Sequence, residues 1–115
     1  MYGLFAAARI PHPFLPAIVS AMGLPAWHVP AHSRFHWRSW DGEHVVYHVN
    51  SGDTHRLNAA GARALQLLIT APHTAPELAE SLRDEFPGET QASVLVIVGE
   101  LVERLERLGL IEPDA

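Results

Sequence analysis

The sequence predicts an α+β domain, a three-stranded antiparallel sheet followed by three helices. Three observations carry this expectation. Aromatic and β-branched residues alternate on both sides of Asp41-Gly42, a strong two-residue hairpin signal. Past Asn58 the apolar residues recur at steps of three and four, the helical period. Pro72 and Pro87-Gly88 then divide the helical part into three segments.

Taken in order, residues 1–33 read as a loosely ordered arm. They hold five of the nine prolines and no acid, and their proline-free runs are too short for a stable isolated helix. The apolar stretch at residues 15–24 is too short to span a bilayer. Residues 4–8 are apolar but precede Arg9 and Pro11, the reverse of a signal peptide's order. The expectation is a cytoplasmic protein with no membrane contact. Residues 35–40 and 43–49 form the hairpin, Asn50-Ser51-Gly52-Asp53 is a second turn, and residues 54–57 supply a short edge strand. Asn58 caps a first helix through Leu65, Leu68 and Ile69, with Gly61 a weakness in its first turn. Thr74 and Glu77 have capping-box spacing, and Leu78, Leu82 and Phe86 line a second helix that runs to Pro87. The third helix opens near Thr90 or Gln91, buries Val94, Val98, Leu101, Leu105 and Leu108, and closes at Gly109. Strands followed by helices, the last two joined by a short turn, describe a winged helix-turn-helix-like unit over residues 34–112, with 113–115 as a tail.

Composition narrows the chemistry. At 115 residues the chain suits one domain, and 48% hydrophobic residues supply a core. The absence of cysteine excludes disulfides, thiolate metal sites and thiol catalysis. All eight basic residues are arginine, so Schiff-base and P-loop lysines are excluded. The net charge is −5, against the basic footprint of a nucleic-acid binder. Residues 1–76 carry +2 and all eight histidines; residues 77–115 carry −7.

Four other constellations are weaker. His28, His32 and His36 are spaced by four, and His44 and His48 share a strand face; a histidine-only metal site would need that geometry, but Pro30 breaks the first set and solvated histidines are common. Trp37 and Trp40 lack the accompanying basic residues of a base-stacking surface, so sheet packing is the expectation. The third helix sets Glu100, Glu103 and Glu106 against Arg104 and Arg107, a poor match to a major groove. No serine has a base and an orienter beside it in a known motif. The expectation is a non-catalytic protein without metal or cofactor.

Several segments together resemble the PqqD family of peptide chaperones. They are Gly52-Asp53-Thr54-His55-Arg56-Leu57-Asn58, then Ala64-Leu65-Gln66-Leu67-Leu68, then Pro76-Glu77-Leu78-Ala79 with Leu82 and Phe86, and finally Leu101, Leu105 and Leu108-Gly109-Leu110-Ile111. The resemblance covers about residues 35–112. The opening Trp37-Arg38-Ser39-Trp40-Asp41-Gly42-Glu43 with Val45-Val46-Tyr47 is similar to the subgroup found beside HPr-kinase-like proteins. The resemblance implies a RiPP recognition element, which holds the leader of a precursor peptide for a modifying enzyme. In that family the leader adds as a strand beside the third strand and lies against the third helix.

The residues suggest the same mode on their own. Leu95, Val96, Ile97 and Val102 are apolar beyond what one helix face needs. Leu95 and Val102, with Gly99 between them, make a second strip where another backbone has room to approach; the alternative is that they pack under the sheet or the arm. The other wall would be the edge strand Asp53, Thr54, His55, Arg56 and Leu57, whose free backbone groups pair with an extended peptide. The expected function is therefore a peptide-binding adaptor, whose partners are a leader peptide and either a modifying enzyme or an HPr-kinase-like protein. The alternative is a small winged-helix-type regulator that binds DNA or a protein.

Overall fold

A computed structural model describes residues 24–114. In chain order the elements are β1 (Ala26–His28), β2 (Phe35–Trp40), β3 (Glu43–His48), β4 (Asp53–Leu57), α1 (Ala59–Thr70), β5 (His73–Thr74), α2 (Ala75–Ser81) with a 3-10 turn (Arg83–Glu85), α3 (Gln91–Arg107) and β6 (Glu112–Pro113). This is a mixed α+β arrangement with two small antiparallel sheets and three helices. No helix among the described residues is long and apolar enough to cross a membrane.

The expected meander is present, in the order β2-β3-β4. Asp41 and Gly42 both take positive φ, 48° and 76°, the twist that joins two strands through a two-residue loop. Register then follows the pleat. Phe35, Trp37, Val46, His48, His55 and Leu57 face inward, while His36, Tyr47 and Arg56 face out. Trp37 packs against the core, but Trp40 is half-exposed and does not join the sheet packing expected of it.

Each helix start has the expected cap. Asn58 Oδ1 accepts from Gly61 N–H at 2.7 Å. Glu77 Oε1 accepts from Thr74 N–H at 2.8 Å and Thr74 Oγ1 from Glu77 N–H at 3.3 Å, completing the capping box. Thr90 Oγ1 accepts from Ser93 N–H at 3.0 Å. Gly109 ends α3 at φ 78°, where Leu110 N–H reaches Leu105 O at 3.0 Å. α2 stops at Ser81 and only a 3-10 turn continues it, so the second helix is shorter than the sequence suggested.

The buried stripe of α3 also differs from the expected one. Val94, Val98, Val102 and Leu105 are buried, whereas Leu101 and Leu108 are only partly covered. Steps of three and four both return to the same helix face, so the pattern fits a stripe through either Leu101 or Val102. The tilt of α3 on its neighbours selects Val102.

The second sheet was not foreseen. Its order is β5-β1-β6. Ala26 pairs with Thr74, Trp27 with His73 and Pro113, and His28 with Glu112. Val29 N–H reaches Leu68 O at 3.2 Å, and Asp114 N–H reaches Ala26 O at 2.9 Å. Trp27 and Val29 pack against the core. The reading of residues 1–33 as a loose arm is therefore corrected from Ala26 onward, and Pro113 and Asp114 belong to the domain rather than to a tail. Strands of two or three residues carry no period to read, and their partners lie far away in sequence. Residues 1–23 of the expected arm lie outside the described residues.

Candidate functional site

β4 pairs with β3 and has no second neighbour among the described residues. Which of its backbone groups are free follows from the hairpin. The two-residue loop makes Trp40 and Glu43 its hydrogen-bonded closing pair, and alternation carries that phase along the strands. Val49 N–H to Arg34 O at 2.9 Å has the same phase. Residues 43, 45 and 47 therefore spend their backbone groups on β2, and 44, 46 and 48 on β4. These last lie opposite Leu57, His55 and Asp53. The N–H and C=O groups of Thr54 and Arg56 remain, and they point to the open edge.

Side chains along β4 alternate as the pleat requires. Thr54 and Arg56 lie on the outer face, and the Arg56 side chain is 76% exposed with its Nε 3.5 Å from Glu43 Oε1. An ion pair so exposed adds little stability. His55 is half-buried, and Leu57 is buried at the inner end of the strand. Asp53 opens the strand in solvent.

α3 meets this strand on one particular side. A Cβ on Gly61 would lie 3.5 Å from Leu101 Cδ1, 3.6 Å from Leu57 Cβ and 3.2 Å from Asn58 Oδ1. Gly61, taken from the sequence as a weakness, is thus the position where the start of α1, the end of β4 and α3 converge. Leu101 marks the flank of α3 that faces β4; Ile97 and Leu108, both half-buried, lie on the same flank.

The opposite flank faces α2. Leu95 joins Val94 and Gln91 in a shallow pocket with Pro76, Ala79, Glu80 and Arg83. At 100° per residue, Leu95 sits about 120° and Gly99 about 160° around the helix from Leu101. The strip read from the sequence is therefore corrected. Leu95 is 42% exposed but turned to α2, a Cβ added at Gly99 would meet nothing within 4 Å, and Val102 is 2% exposed in the core. None of the three shares the side of Leu101. The structure brings together Leu57, Gly61 and Leu101, with Thr54 and Arg56 on the adjoining edge. Periodicity gave α3 two apolar flanks beside its core stripe; only helix crossing decides which one borders β4.

Several of the histidines are engaged individually. His44 Nδ1 lies 2.8 Å from Ser39 Oγ and His48 Nδ1 3.0 Å from Ser51 Oγ, while His48 stacks on Phe35 and His36 on Tyr47. Among the described residues no group of three or more His, Asp or Glu has metal-binding geometry.

These features define a mixed α+β domain whose meander leaves one edge open beside an apolar helix flank. The chain matches the family model described as "Coenzyme PQQ synthesis protein D (PqqD)" over residues 43–111, more than half its length. It belongs to the PqqD family. It is also similar in fold to a solved structure titled "TbiB1 in Complex with the TbiA(beta) Leader Peptide", with a TM-score of 0.58 and 21% identity over 76% of this chain and 98% of that one. A comparison with curated proteins finds no match.

Proposed function

We propose that the protein is a non-catalytic adaptor that captures the leader of a precursor peptide by strand addition on β4 and presents it to a modifying enzyme. The observation that carries this reading is the open edge of β4 beside the Ile97–Leu101 flank of α3. Thr54 and Arg56 would supply the main-chain pairing that gives affinity, and the apolar flank would select side chains of the docked strand. Membership of the PqqD family and likeness to a protein solved with its leader peptide support the reading. Asp53, Thr54, His55, Arg56 and Leu57 remain the proposed contact strand. On the helix, Ile97 and Leu101 take the place first given to Leu95, Gly99 and Val102. The finer assignments belong to the same proposal: a winged-helix-like arrangement, a cytoplasmic setting, the subgroup beside HPr-kinase-like proteins, and such a protein or a modifying enzyme from the same gene cluster as second partner.

The competing reading, a DNA-binding regulator, is disfavoured by the acidic residues along α3. Synthetic peptides covering the small open reading frames beside the gene, titrated by fluorescence anisotropy at physiological salt, test the proposal. One peptide should bind wild-type protein, and Arg56→Pro should weaken it about tenfold or more. The substitution removes an outward N–H and places a ring where the added strand must lie. Unchanged affinity in a folded Arg56→Pro protein, or tighter binding of a random duplex DNA than of any peptide, overturns it.

A further inference from the structure

His28, the last residue of β1, stands between two carboxylates. Its Nε2 lies 2.8 Å from Glu112 Oε2 and its Nδ1 2.8 Å from Asp114 Oδ1. Ionised carboxylates only accept, so both ring nitrogens must donate. Neutral imidazole has a single N–H, and its other nitrogen would turn a lone pair toward a carboxylate oxygen. Only the imidazolium satisfies both contacts.

We propose that His28 is a proton-operated latch that holds β1 in its slot between β5 and β6, closed by the charged ring and released when the ring loses its proton. The backbone pairing it reinforces is slight. β1 meets β6 at only two residue pairs, Trp27 with Pro113 and His28 with Glu112, and Asp114 N–H to Ala26 O adds one backbone bond just beyond them. The side-chain latch adds two charge-assisted contacts to this short ladder.

The groups around β1 leave Glu112 and Asp114 as the partners that set the charge of His28. On β5, His73 lies opposite Trp27 and its Nδ1 is engaged by Ala71 O at 2.8 Å. On α1 the contact is the Leu68 carbonyl, which accepts from Val29 N–H. The hydrogen bond to Glu112 raises the His28 pKa most, and burial opposes it; Asp114 adds to the rise. A histidine whose folded pKa is raised contributes fully below its unfolded value of 6.5, and that contribution is lost as pH climbs through the raised one. The latch thus opens from mildly acidic toward mildly alkaline pH. Opening uncovers Trp27 and Val29, which pack against the core.

Native-state hydrogen exchange on the full chain at pH 6 and pH 8.5, corrected for intrinsic rates, tests the proposal. The reporters are Val29 N–H and Asp114 N–H, with Val49 N–H of the meander as reference. Protection of Val29 and Asp114 should fall about tenfold or more relative to Val49, with a midpoint above 6.5. His28→Gln should be weakly protected at both pH values. Glu112→Gln and Asp114→Asn, which keep the backbone and the ring, should each move the midpoint downward. Protection independent of pH, loss in step with Val49, or a His28 ring titrating at or below 6.5 in wild-type protein overturns it.

Discussion

Replacing Val102 by glutamate tests the orientation of α3, because the same change at Leu95 should have a different outcome. Val102 is 2% exposed and Leu95 42%. A glutamate at 102 has no partner for its charge in the core, so at pH 7 it must take up a proton. From an unperturbed pKa of about 4.3 this costs about 4 kcal/mol. Lost valine burial adds about 1.5 kcal/mol, and fitting a longer side chain a further 1–3 kcal/mol or so. The sum, roughly 6–8 kcal/mol, is comparable with the whole stability of a small domain, about 5–15 kcal/mol. At 95 the carboxylate reaches solvent, and the cost should stay below about 1 kcal/mol, a few degrees in Tm. Thermal melts followed by circular dichroism at pH 7 and pH 4.5 decide the matter. Val102→Glu should be largely unfolded at pH 7 and recover relative to wild type at pH 4.5, where protonation costs almost nothing. Leu95→Glu should melt near wild type at both. If Val102→Glu melts within a few degrees of wild type at pH 7, or Leu95→Glu collapses with it, the assignment of α3's faces is wrong.

Leu105→Ala removes a fully buried side chain and should cost about 2–5 kcal/mol in a urea titration. Thr74→Ala breaks the capping box of α2 and should cost about 1 kcal/mol by the same measurement. His55→Pro removes a β4 amide turned toward β3 and should destabilise the fold by up to about 3 kcal/mol, whereas Arg56→Pro, one residue on, should leave the melt near wild type. A chain beginning at Met22 keeps every described element and should melt close to the intact one; a chain beginning at Arg34 lacks β1 and should melt clearly lower.

The hairpin, the three capped helix starts and the Gly109 stop were legible because each depends on residues within a few positions of one another. Asp41-Gly42 with its positive φ pair and Thr74 with Glu77 are such cases. The free edge at β4 was equally accessible, since it follows from strand order in a meander. What the sequence left open was set at long range. Whether Leu101 or Val102 enters the core depends on how α3 crosses its neighbours, and both choices satisfy a helical period. Trp27 was hidden inside a proline-rich stretch, and nothing near it announces partners at His73 and Pro113. The ion pairs of His28 span 84 and 86 residues, beyond the reach of any local pattern.

That separation bears on how the chain is made. The meander closes through a two-residue loop and a short turn, so β2, β3 and β4 can meet early, while later residues are still being synthesised. The β1–β6 pairing must close nearly the whole described length, and the entropy of closing a loop grows with its length. β1 also needs Pro113 and Asp114 as neighbours, so its slot is incomplete until those residues have left the ribosome. During that interval Trp27 and Val29 lack their final packing, whereas the open edge of β4 already exists. A nascent chain would present the open edge of β4 before β1 had joined β6.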